Sequence, residues 1–200
     1  MIIVAGASIF RWITLIAVLF WLVVYWHGGK KVLVDIRASI RSGNSRLDGV
    51  LLIVLSLCSA GVIGAGVFVN LGLTEMILSQ NPIIVFVGTI FTISGIAGMF
   101  YCRHYLGRFW TAETNLSKEH QIIDTGPYHT VRHPIYTFAI LMYIGLELVF
   151  LSLWTVSLTG VTIVAYVLKA KDEDHYLEQN LPGYCDYQSR VRYRLIPGLW

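Results

Sequence analysis

Charged side chains are scarce in this chain. They make up 14% of its 200 residues, against about 25% in an ordinary globular domain. That shortage excludes a typical soluble domain and argues against intrinsic disorder. The net charge is only +3, and Lys and Arg fall between apolar runs. No basic face for nucleic acid is expected. Cysteine is also rare: Cys58, Cys102 and Cys185. Three thiols make no disulfide framework, and two of them fall in or at the end of apolar runs, where Cys acts as small apolar filler. No Cys-x-x-Cys or His-Glu-x-x-His spacing occurs, so no metal site is expected.

What is abundant is apolar sequence, at 56% of residues and a mean hydropathy of +0.64. A membrane-crossing helix needs about 20 mostly apolar residues. Five stretches are read as spans, at about 3–26, 50–73, 83–101, 135–151 and 153–168. The first is too long for a removed signal peptide and lacks its small-residue cleavage site, so it is read as retained. The block Ile135–Leu168 is too long for one span, and a break near Leu151 and Ser152 divides it into a hairpin. The expected fold is all-α and polytopic, one integral membrane domain over 1–200. Lys and Arg concentrate in Gly28–Gly49, Cys102–Pro134 and the tail after Leu168. Cytoplasmic segments carry such an excess. Five spans put all three on one face, with the N-terminus outside and the C-terminus cytoplasmic, in a plasma or inner membrane.

Spans two and three are rich in small residues, which let helix backbones approach closely in lipid. Gly61-Val-Ile-Gly64-Ala-Gly66 also spells a dinucleotide fingerprint. That motif needs a preceding strand and a βαβ unit, so helix packing is the better account. Glu147 is the acidic residue inside span four. An intramembrane acid is a functional candidate by default, but its place near the outer end fits a water-facing role equally well.

The chemistry-bearing residues gather in two segments on the cytoplasmic side. One runs from Glu119 to Tyr136 and leads into span four. Gly126-Pro127 marks a turn, and Pro134 suits the first turn of the following helix. The other, Lys169-Ala-Lys-Asp-Glu-Asp-His-Tyr-Leu177, follows span five. The hairpin returns both to the same membrane face. A basic and aromatic cluster then meets an acidic one.

Gly126-Pro-Tyr-His-Thr-Val-Arg-His-Pro-Ile-Tyr136 resembles the hallmark of the isoprenylcysteine carboxyl methyltransferase family and its phospholipid-methyltransferase relatives. Glu173-Asp174-His-Tyr-Leu177, Leu181-Pro-Gly-Tyr184, Tyr187 and Arg194-Leu-Ile-Pro197 resemble the ending of that family. Leu106-Gly-Arg-Phe-Trp110 resembles the segment ahead of the motif in bacterial members. The resemblance covers about the last half of the chain. It implies S-adenosylmethionine as cofactor, held by the connection before span four (102–134) and the tail (169–200).

Carried over residue by residue, the resemblance assigns the cofactor to Glu113, His120, Gln121, Ile122, Ile123, Tyr128, His133, Pro134, Ile135, Tyr136 and Glu173. Glu113 stands where the family has Gln, and Asp174 replaces a second Glu. It assigns the substrate to Lys169, where the family has Arg, and Arg132 is a further candidate for orienting an acidic acceptor. Arg132 and Glu173 are the residues expected to act in catalysis. Lys lacks the planar fork with which Arg grips a carboxylate. The implied reaction is methyl transfer to a small lipophilic or lipidated acceptor amid membrane lipids, foremost carboxyl O-methylation of an isoprenylcysteine-like compound. A phospholipid, amine or thiol acceptor stays open. So does a membrane reductase using NADPH, whose cofactor phosphates would want more Arg and Lys than this acidic tail offers.

Overall fold

The structure, a computed structural model, describes residues 2–27, 46–73, 81–107 and 121–200. Among them are six α-helices and no strand. They are α1 (Ile2–His27), α2 (Arg46–Asn70), α3 (Pro82–Leu106), α4 (Pro134–Phe150), α5 (Leu153–Asn180) and α6 (Tyr184–Arg190), with a 3₁₀ turn at Gly126–His129. Glu113 and His120 lie outside the described residues, as do most of the first basic loop and Arg108 to Trp110.

The helix limits follow local chemistry. Asn81 caps α3 by accepting the Ile83 N–H at 3.0 Å, with Pro82 at the first helical position. Between α4 and α5 only Leu151 and Ser152 are non-helical. Ser152 and Thr155 exchange reciprocal capping bonds there, at 3.2 and 3.0 Å, which start α5 afresh. Glu147 clips this hairpin: its two carboxylate oxygens accept the hydroxyls of Thr155 and Thr159 at 3.0 and 3.2 Å.

Three helices are long and apolar enough to cross a membrane: Leu47–Asn70, Pro82–Leu106 and Leu153–Asn180. Two shorter apolar helical stretches, Ser8–Val24 and Pro134–Phe150, accompany them. At 17 residues, α4 measures about 26 Å, short of a hydrocarbon core of about 30 Å. Two apolar stretches are shorter than the helices that hold them: 83–101 lies within α3, which continues to Leu106, and 153–168 lies within α5, which continues to Asn180. Hydropathy marks where apolar surroundings end, not where the backbone stops being helical.

The core lies around α4. Met142, Tyr143, Leu146, Val149 and Phe150 are enclosed by Leu15 and Val18 of α1, Val62 and Val69 of α2 and Ile96 and Met99 of α3. The outward faces are apolar: Ile16, Phe20, Leu57, Ile83, Trp154 and Val164 are all exposed. Threonines turn inward instead. Thr14 and Thr89 join α1 to α3 at 2.9 Å, and Thr92 and Thr162 donate to their own helix carbonyls. Such internal pairing is what a lipid surround demands of polar groups.

Helices α3 and α4 run antiparallel in close contact. A Cβ on Gly95 would stand 2.6 Å from the Phe138 carbonyl, and one on Gly145 would stand 2.6 Å from the Gly88 carbonyl. Of the glycines in α2, Gly61 and Gly66 face Leu158 and Phe150, while Gly64 has nothing near it.

Candidate active site

The site is built where the start of α4, the end of α5 and the tail meet. Pro134 opens α4, and the residue before a proline is held out of the helical region. His133 accordingly has φ −121° and ψ 59°. Its backbone faces the tail: the N–H groups of Arg132 and His133 donate to the carbonyls of Tyr193 and Arg194, each at 2.9 Å. Thr137 adds a bond from Oγ1 to the Leu195 carbonyl at 2.7 Å. The tail is thus strapped across the first turn of α4.

Asp174 of α5 is the buried hub. Its Oδ1 accepts from Arg132 Nε at 3.2 Å, from the Tyr184 hydroxyl at 2.8 Å, and faces His133 Nε2 at 2.8 Å. Its Oδ2 accepts from Arg132 Nη2 at 2.9 Å and Arg194 Nε at 2.6 Å. Burial alone would raise the Asp174 pKa, but the bonds from His133 and Arg132 outweigh it and hold the carboxyl far below the usual range. Burial, aided by this carboxylate, raises Tyr184.

Arg132 uses four of its five donors within the chain. Besides Asp174, its Nη1 donates to the Val191 and Arg192 carbonyls at 2.7 and 2.8 Å. Four bonds from five guanidinium donors leave it as a brace between α5 and the tail.

Glu173 is the neighbour of Asp174 in sequence and shares His133 with it, but differs in exposure and in its other partners. Its side chain is 26% exposed, against 2% for Asp174. Its Oε2 accepts the Tyr136 hydroxyl at 2.7 Å and lies 3.5 Å from His133 Nδ1. Its Oε1 accepts no hydrogen bond among the described residues. Burial pushes its carboxyl upward, but the His133 hydrogen bond and charge, the Lys169 charge and Tyr136 prevail and bring it down to about 2. His133 has a carboxylate at each ring nitrogen and stacks on Tyr136, with ring planes 4° apart. Burial disfavours its charge, yet Asp174 and Glu173 outweigh this and lift it to about 9.

The remaining sequence-derived residues divide. Tyr128 is buried with its hydroxyl 3.5 Å from the Cys102 carbonyl, and its own carbonyl accepts the Tyr187 hydroxyl at 2.8 Å. Ile122 packs on Tyr184, Tyr187 and Val191. Gln121 is exposed and Ile123 half-buried. Ile135 packs into the main core and Pro134 is buried at the helix start. Gly126, at φ 57°, presses its backbone against the Tyr105 ring, so a side chain there meets both a steric and a conformational barrier. Lys169 is buried and ion-paired to Asp48 of α2. No group of His, Cys, Asp and Glu suited to a metal occurs among the described residues.

Two residues escaped sequence reasoning in their present roles. Asp48 gave no signal beyond an acid in a helix's first turn, which reads as a partner of the helix dipole. Arg194 belonged to the motif-like ending, but nothing in its position pointed to Asp174.

The sequence model of the isoprenylcysteine carboxyl methyltransferase family matches residues 86–179. Over this stretch, a little under half of the chain, the sequence is similar to that family. The matched stretch contains nearly all of α3, all of α4 and the acidic pair of α5, and it stops before the tail strap. Members of the isoprenylcysteine carboxyl methyltransferase family are membrane methyltransferases, and the apolar helices here accord with that. A curated relative, the nickel-cobalt-cadmium resistance protein NccN of Alcaligenes xylosoxydans xylosoxydans, is 31% identical over 91 residues. The match takes in 43% of this chain and 41% of that protein, so the chain spans about two fifths of the relative's length.

Proposed function

We propose that the chain is an S-adenosylmethionine-dependent methyltransferase acting on a small lipophilic acceptor in the membrane, foremost the carboxyl group of an isoprenylcysteine-like compound. The observation that carries this reading is the open oxygen of Glu173. An ionised, partly exposed carboxylate with one oxygen held and the other without a partner among the described residues suits a ligand rich in donors. The cofactor has such donors in its ammonium and ribose hydroxyl groups. When bound, it supplies an electrophilic sulfonium methyl group.

The chain's part is mostly positioning, since an in-line displacement needs two reactants held in line. Glu173 binds through Oε1, while Tyr136 and His133 fix Oε2. Asp174, Arg132 and Arg194 hold that group by locking the tail onto α4 and α5. On this reading Arg132 acts through Asp174 and not by touching the acceptor. The cofactor surface extends from Glu173 over Tyr128, Pro134, Ile135 and Gln121–Ile123, with Glu113 and His120 as its further members. The arrangement proposed for the membrane has five crossings, N-terminus outside and C-terminus cytoplasmic, with the pocket formed by 102–134 and 169–200. The acceptor enters from the bilayer.

A second acceptor class is favoured by one contact. Lys169 already has a carboxylate partner in Asp48, so an acceptor's carboxylate would compete for it. An amine or thiol acceptor needs no such cation. Calorimetric titration of the protein in nanodiscs tests the cofactor assignment. Saturable binding of S-adenosylmethionine and none of NADPH is expected; binding of NADPH alone moves the protein to the reductases, and binding of neither defeats the enzymatic reading.

A further inference from the structure

Helix α2 lies outside the stretch matched to the methyltransferase family, yet one of its side chains reaches the site. Asp48, in its first turn, forms an ion pair with Lys169 across a sequence separation of 121. Both side chains are almost fully enclosed, at 2% and 3% exposure.

The register explains how they meet. Asp48, Leu51 and Leu55 are three and four residues apart and share one stripe of α2. Leu51 and Leu55 pack with Ala165 of α5. Lys169 follows Ala165 by about one turn and Glu173 follows Lys169 by another. One face of α5 therefore carries, in order, the packing contact, the cation and the carboxylate with the open oxygen.

A buried ion pair adds little net stability, because desolvation offsets the attraction and apolar residues of similar volume serve as well. Its effect here lies in what it places. Without Asp48 the Lys169 ammonium would be an uncompensated buried charge, free to swing onto Glu173 and take the oxygen a ligand needs. With Asp48 it stays one turn away, while its charge still favours the ionised form of Glu173.

We propose that Asp48 is a positioning residue of the site: it holds the Lys169 ammonium one helical turn from Glu173, so that the N-terminal helices complete a carboxylate site whose other members lie in α4 and α5. The proposal rests on the reading of Glu173 as the cofactor carboxylate.

The test uses the full chain in nanodiscs and two readouts, S-adenosylmethionine affinity and the infrared titration of the Glu173 carboxylate, assigned by subtracting Glu173→Gln. In Asp48→Leu/Lys169→Met, where apolar groups replace the pair, thermal stability stays close to wild type. Affinity falls about tenfold and, as a separate readout, the Glu173 midpoint rises by about one pH unit. The swapped variant Asp48→Lys/Lys169→Asp keeps the pair but sets an anion beside Glu173, and moves both readouts further in the same direction. Wild-type affinity and an unmoved midpoint in the apolar variant overturn the proposal, as does failure of both variants to fold, which makes the pair structural. A wild-type protein that binds no S-adenosylmethionine defeats the cofactor reading. The infrared midpoint then decides separately whether Asp48 and Lys169 govern Glu173.

Discussion

His133 Nε2 lies 2.8 Å from Asp174 Oδ1, with the opposite ring nitrogen 3.5 Å from Glu173. Only the doubly protonated imidazolium can donate in both directions. The ring joins the two acidic residues of α5 to the start of α4, and its charge state governs whether that joint holds.

A pH dependence of stability follows from this. His133 is raised from 6.5 to about 9, so its stabilisation is complete below 6.5 and is lost as pH rises through 9. Glu173 is lowered from 4.5 to about 2, so its contribution is complete above 4.5 and is lost as pH falls towards 2. Asp174, also lowered, acts in the same direction. Thermal unfolding in detergent between pH 4 and 10 should show a plateau from about 4.5 to 6.5 and a decline above it. His133→Gln should flatten the alkaline decline. An unchanged alkaline limb in that variant would assign it elsewhere.

The two adjacent acids should answer differently to the same change. Asp174→Asn strips the partner from Arg132 and Arg194, and uncoupling a buried charge in this way costs about 3–5 kcal/mol. The expected result is a large fall in unfolding temperature. Glu173→Gln, partly exposed and holding fewer bonds, should cost about 1 kcal/mol. Equal losses in the two variants would contradict the division of roles.

Close helix contact gives a third expectation. Gly95→Ala drives a methyl group against the α4 backbone and should destabilise by about 1–3 kcal/mol. Gly64→Ala meets nothing within 4 Å and should be neutral or gain up to about 1 kcal/mol from helix propensity. Denaturant or thermal unfolding of the two variants side by side measures the contrast.

Much of this architecture was legible from the sequence, for identifiable reasons. The His133-Pro134 step announces itself because proline both ends an extended segment and starts a helix. The break at Leu151–Ser152 shows as a capping residue inside an apolar block. The continuation of α5 to Asn180 was not legible, since Lys169 and Asp174 look like a solvated helix end unless their buried partners are known. Nor did the sequence reveal which of two consecutive acids faces inward: neighbours on a helix differ by about 100° in direction, and only the packing of α5 on α2 and α4 sets the rotation. Asp48 was hidden for a related reason, its partner being 121 residues away.

The central claim, that Glu173 receives the cofactor while Asp174 holds the fold, is tested most directly by calorimetric titration of Glu173→Gln with S-adenosylmethionine in nanodiscs, with thermal unfolding measured on the same preparation. The account predicts an unfolding temperature near wild type and an affinity reduced at least tenfold, or about 1.4 kcal/mol. Wild-type affinity in a folded Glu173→Gln protein would contradict it.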